Sequence, residues 1–91
     1  MEFEWDPRKD AANQRKHAVG FREATTVFGD PLATTFPDSE HSIVEPRFLT
    51  IGASVSNRLL VVIHSERRES IRIISARPAT ARERKFYEEE W

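Results

Sequence analysis

The sequence has no cysteine, only three glycines and a single methionine. Without cysteine there are neither disulfides nor thiolate metal sites, which suits a reducing cytosol. Three scattered glycines leave no phosphate-cradling glycine loop, so nucleotide hydrolysis finds no support. Histidines are not spaced as metal ligands and the acids do not fall at ligand intervals, so neither a metal site nor a cofactor is expected. The first residues lack the charged start and apolar run of a signal peptide, and no apolar stretch approaches membrane-spanning length. The expectation is a cytoplasmic protein with no membrane partner.

What is present fits one domain, residues 1–91, with room for one sheet and a few helices. A chain of this size buries roughly 60–70% of the surface that its unfolded form exposes, so its stability margin is narrow. The formal net charge is −1, but the charge is unevenly placed. From Arg58 to Lys85 there are eight lysines and arginines against three acids, whereas Asp30 to Asn57 carries four acids against Arg47 alone. A basic block within a neutral chain suits an anionic partner such as RNA, and equally a solvated surface balanced by the acidic segments.

Phe3, Glu4 and Trp5 alternate as a short strand. Asp6-Pro7 then opens a helix, with Asp6 as cap and Pro7 at the first position, running to about His17. Gly20 breaks the pattern. Phe21, Ala24, Val27 and Phe28 give a second helix its core face, with Gly29 as its stop. The β half follows: Leu32 to Phe36, a polar loop from Pro37 to Pro46, Arg47 to Gly52 as a half-exposed strand, and a turn at Ser54 to Arg58. Leu59 to Ile63 is continuously apolar and reads as a central strand covered on both faces. A polar turn from Ser65 to Glu69 leads to Ile71–Ala76, which Pro78 ends. Thr80-Ala81-Arg82-Glu83 has the capping-box pattern and opens a terminal helix docked by Phe86, Tyr87 or Trp91. The order β-α-α-β-β-β-β-α, with short strand connections, predicts an α+β domain with a mainly antiparallel sheet and its helices on one face.

Five stretches, in this order, carry a resemblance over nearly the whole chain: Phe3 to Lys9 (FEWDPRK), Asn13 to His17 (NQRKH), Phe21 to Ala24 (FREA), Arg47 to Gly52 (RFLTIG) and Arg72 to Arg84 (RIISARPATARER). Together they resemble the BrnT toxins. The resemblance implies a RelE-like fold, cleavage of RNA without a metal, and inhibition of growth and translation. It also implies a hetero-oligomer with a ribbon-helix-helix antitoxin of the BrnA kind. Two departures stand out. Members usually carry glycine directly after the Lys-His pair, where this chain has Ala18-Val19-Gly20, a change expected to lengthen the first helix slightly. Many also carry arginine where this chain has Ala53, which removes one phosphate contact.

Cutting RNA without metal requires a group that takes the 2′-hydroxyl proton, positive charge at the phosphorane, and a donor to the leaving 5′-oxygen. Lys16 and His17 close the first helix, with Asn13 one turn earlier on a shared flank. Histidine is the side-chain type whose ordinary pKa lies nearest neutrality, so His17 fits acid–base work, or simply a cation at a helix C-terminus. Lys16 suits phosphate binding or base chemistry. Arg72 and Arg77 flank the last strand an odd number of positions apart, so they are expected to face apart, with Arg77 at the scissile phosphate; a salt bridge to Glu83 or Glu23 is the plainer reading of each. Arg67, at a position matching the family, and Arg68 sit at a hairpin tip, where charge also serves solubility. Arg84 and Tyr87, one turn apart on the last helix, could border an RNA groove. Thus Lys16, His17, Arg67 and Arg77 are the catalytic candidates, and Asn13, Arg72, Arg84 and Tyr87 the RNA-binding ones. His64 reads as structural, Trp5 as core, and His41 carries no role. A non-catalytic module binding nucleic acid or protein would use the same arginines.

Overall fold

The computed structural model describes residues 1–38 and 45–89, so His41, Trp91 and most of the expected polar loop lie outside it. The elements are β1 (Glu2–Glu4), α1 (Pro7–His17), α2 (Phe21–Thr26), a 3-10 turn (Val27–Gly29), β2 (Thr34–Pro37), β3 (Arg47–Ala53), β4 (Leu59–Arg67), β5 (Ser70–Pro78) and α3 (Ala81–Glu89). The strands form one sheet in the order β1-β5-β4-β3-β2. β1 runs parallel to β5 and the other neighbours are antiparallel. Among the described residues, no helix is long and apolar enough to cross a membrane.

Local chemistry sets the helix ends. The Asp6 carboxylate accepts the Arg8 N–H at 2.8 Å and Pro7 occupies the first turn, which starts α1 where expected. The helix is not lengthened, however. It stops at His17 because Ala18 adopts the left-handed conformation, φ 58° and ψ 32°, in the place where the family's glycine would sit. The Ala18 N–H is bonded to the Gln14 carbonyl, and Arg58 donates to the Ala18 carbonyl while gripping Glu23. For α3 the capping box forms as read: Glu83 N–H donates to Thr80 Oγ1, and Thr80 N–H donates to Glu83 Oε1.

β4 is the centre, and its alternation feeds two cores. Leu60 and Val62 pack with Val19, Phe21, Ala24, Val27, Ile71, Ile73 and Ala76 beneath α2. Leu59 and Val61 pack on the opposite face with Ile51 and Tyr87. The helices therefore do not share one face, contrary to expectation. Both faces of β4 are apolar, and the short link after Pro78, pinned by Ala79 N–H to the Leu59 carbonyl, folds α3 back over the second face. The same two-sided cover buries β3 from Thr50 to Gly52, more than its alternation suggested. Gly52 lies so close beneath the first layer that a Cβ would stand 2.8 Å from Val27 Cγ1 and 2.9 Å from the Ala33 Cβ. β4 and β5 also extend further than their apolar cores, to Arg67 and from Ser70, because ladder hydrogen bonds do not require apolar side chains.

Two buried polar groups organise the interior. Asn13, 6% exposed, donates from Nδ2 to the Val19 and Ala76 carbonyls, both at 2.8 Å, and accepts the Ala76 N–H at 3.2 Å. Its amide thus joins α1, the turn after it and the upper part of β5. His64, 1% exposed, shares a 2.7 Å hydrogen bond between Nε2 and Thr50 Oγ1, and its ring lies against Phe28 and Phe48. Burial pushes its imidazole down to about 4 from an ordinary 6.5.

Ala18→Gly should raise stability by about 0.5–1 kcal/mol in urea melts, because glycine takes the left-handed conformation without a Cβ clash. Asn13→Ala should lower it by about 2–4 kcal/mol, since three buried backbone groups lose their partner. For His64 the unfolded chain takes up a proton as pH falls through 6.5, while the folded chain does so only near 4. Its contribution is therefore complete above pH 6.5 and is lost between 6.5 and 4, by on the order of 3 kcal/mol. His64→Gln should flatten that slope in urea midpoints measured at pH 7 and 4.5; an unchanged slope would count against it.

Candidate nucleic-acid interface

α3 covers only part of the second sheet face, with Tyr87 buried and Phe86 edge-on to Phe36 at 5.2 Å. Beside it lies an open groove of about 320 Å³ lined by Asp38, Arg47, Leu49, Ile63, Ile74, Ser75 and Arg77. Its rim is basic because of a fault in the ladder. Ile63 pairs with Ser75 but His64 pairs with Ile73, so Ile74 is an extra residue, a β-bulge. Arg72 and Arg77, five positions apart, were expected to face apart; the extra residue restores their phase and puts both on the groove face. Pairing then gives a row across the sheet, Glu4–Arg72–Ser65–Arg47, while Arg77 stands in the row of Val61 and Ile51.

Arg67, Arg72 and Arg77 each meet carboxylate. Arg77 forms a two-pronged pair with Glu83, 2.7 and 2.9 Å, which raises the pKa of the guanidinium and holds the Glu83 carboxyl at about 2. The Arg77 side chain is still 37% exposed. Arg72 and Arg67 share Glu4 at 3.4 and 3.7 Å, and Arg67 also reaches Glu45 at 3.4 Å. These are long, solvent-washed pairs of the kind worth about 0–1 kcal/mol, so a phosphate oxygen can replace the carboxylate. Glu23, considered as a partner for Arg72 or Arg77, is taken by Arg58.

The remaining candidates separate into two groups. Lys16 is exposed and His17 half-buried at the last turn of α1. One turn earlier Asn13 grips Ala76, the chain neighbour of Arg77, so that part of α1 is held at the edge of β5. No hydrogen bond or ion pair among the described residues joins Lys16 or His17 to Arg67, Arg72 or Arg77. Arg67 and Arg77 are not brought together either: their rows are six β4 residues apart, about 20 Å. Arg84 is exposed on α3.

Two expected RNA contacts are corrected. Asn13 is buried with both amide atoms bonded to backbone, so the structure gives it the part of positioning α1. Tyr87 is buried too, and its hydroxyl donates to Asp30 at 2.6 Å; burial and that carboxylate push its pKa up to about 12. Sequence reasoning missed Arg47, which lines the groove, and Ser65, which stands between Arg47 and Arg72 in the ladder. Only the pairing of β3, β4 and β5 reveals them, although Arg47 lies within a stretch that carries the family resemblance. Among the described residues no three His, Asp or Glu side chains gather as metal ligands.

A family model for the ribonuclease toxin BrnT of type II toxin–antitoxin systems matches residues 5–83. The crystal structure of the Brucella abortus ribonuclease toxin BrnT superposes with a TM-score of 0.68 at 25% identity, covering 88% of this chain and 97% of that one. No curated protein matches significantly. The family match spans most of the chain and includes α1, the groove strands and the start of α3. The chain belongs to the BrnT family of ribonuclease toxins of type II toxin–antitoxin systems.

Proposed function

We propose that the chain, on a RelE-like fold, is a metal-independent cytoplasmic endoribonuclease that cuts RNA and so inhibits translation and growth. A ribbon-helix-helix antitoxin resembling BrnA holds it in check within a hetero-oligomer. The observations that support the reading are the placement of Arg77 on an open groove and the bonds of Asn13, one turn before Lys16 and His17, to the neighbouring Ala76.

In this reading the RNA 2′-oxygen attacks the adjacent phosphorus and its proton passes to Lys16 or His17. The bond to the 5′-oxygen breaks, that oxygen takes up a proton from the other of the two, and a 2′,3′-cyclic phosphate remains. Arg77, exchanging Glu83 for phosphate oxygen, stabilises the charge that builds on the phosphorane. Arg67, about 20 Å along the ladder, binds RNA further from the cut. Arg84, exposed on α3, borders the path. The second reading, a non-catalytic binding module, is favoured by one observation: Arg77 is already paired with Glu83.

Purified chain freed of antitoxin should cut RNA in excess EDTA and leave cyclic phosphate ends. Arg77→Ala should slow cutting by about 10²–10³-fold and also lower Tm, because Glu83 loses its partner, whereas His17→Ala or Lys16→Ala should slow it by about 10²–10⁴-fold with melting curves little changed. Binding without product, or cutting that needs magnesium, would overturn the mechanism.

A further inference from the structure

Ser65 is the odd member of the row that runs from Glu4 to Arg47. It stands in the ladder between Arg47 and Arg72, is wholly buried, and its Oγ has no hydrogen-bond partner among the described residues. Buried hydroxyls are nearly always bonded, so one left alone between two guanidinium-bearing positions calls for an acceptor that arrives from outside. The arginine next to it is held loosely. Arg72 meets Glu4 at 3.4 Å, and both side chains are partly in solvent.

The spacing adds a second argument. The Ser65 row lies four β4 residues from the row of Arg77, which is about 13 Å at 3.3 Å per residue. A nucleotide has six backbone bonds against three for an amino acid, so its extended reach is about 7 Å, twice that of a residue. The two arginine rows are thus about two nucleotides apart. Between them the floor is apolar, made by Leu49, Ile63 and Ile74.

We infer that Arg47, Arg72 and the Ser65 hydroxyl form a second phosphate subsite, which binds a phosphodiester of single-stranded RNA about two nucleotides from the phosphate at Arg77. The subsite rests on the ribonuclease reading above. The incoming phosphate displaces Glu4 from Arg72, and side-chain movement at the row opens Ser65 Oγ to donate to a phosphate oxygen. The two intervening bases lie over the apolar floor, which requires unpaired bases and so selects single strands over duplex.

The test uses the antitoxin-free chain and a fluorescent 2′-O-methyl RNA oligomer, which cannot be cut, titrated in EDTA at several salt concentrations. Arg72→Gln should weaken binding about tenfold and reduce the log–log salt slope by about 0.7, the value of one single-strand phosphate. Ser65→Ala should weaken binding about tenfold while raising Tm by about 4 °C or more, because it removes an orphan hydroxyl from the folded state. A merely structural serine would not move stability and affinity in opposite directions. If both variants bind like the wild type while the wild type binds and cuts RNA, the subsite is overturned and the nuclease reading stands. A wild type that neither binds nor cuts overturns both. Weaker binding of a polyglutamate peptide by the variants, with RNA binding intact, overturns the subsite in favour of a protein ligand.

Discussion

One extra residue in β5 decides which way its arginines point. In an uninterrupted strand Arg72 and Arg77 would lie on opposite faces, and one would have to sit among Phe21, Leu60 and Val62 in the first core. Ile74 absorbs the difference. On either side of it Ile71, Ile73 and Ala76 face one layer, while Arg72, Ser75 and Arg77 face the other side of the sheet, where Ser75 and Arg77 line the groove. The apolar core and the basic rim are thus two products of one ladder slip, and neither can be shifted alone.

The sequence was most legible where chemistry is local. Asp6-Pro7 and the Thr80–Glu83 box marked helix starts because a cap needs only its next few residues. Leu59 to Ile63 announced a central strand for a similar reason, since five apolar residues in a row cannot face water on either side. What could not be read depends on partners distant in the chain. The bulge exists only in the pairing of β4 with β5, so counting along β5 alone gave the wrong face for one arginine. Asn13 looked like a free polar residue beside Lys16 and His17, and only the approach of Ala76, 63 residues later, shows its amide to be consumed. Tyr87 was misplaced in the same way, because Asp30 takes its hydroxyl from across the fold.

The groove is also less positive than the block from Arg58 to Lys85 implies. Glu4, Glu45 and Glu83 come from outside its strands and sit on its arginines. This arrangement keeps guanidinium groups oriented on a small fold that has little other means of holding them, and the carboxylates limit the mutual repulsion of the cations. The pairs differ in kind. The fork between Arg77 and Glu83 is short and also anchors the first turn of α3, whereas the contacts at Glu4 are long. Anions arriving from solution therefore meet a graded surface, with the looser end at Arg67 and Arg72.

β1 pairs with β5 only from Ser70 to Arg72, and beyond that point no strand among the described residues pairs with its outer side. There Asn13 presents a primary amide that bonds to both the N–H and the carbonyl of Ala76, as the peptide of an added strand would. A helix carrying one such side chain thereby closes a sheet border that could otherwise recruit a second molecule into an extended ribbon. Colloidal behaviour, as much as the geometry of the groove, is therefore written into that asparagine.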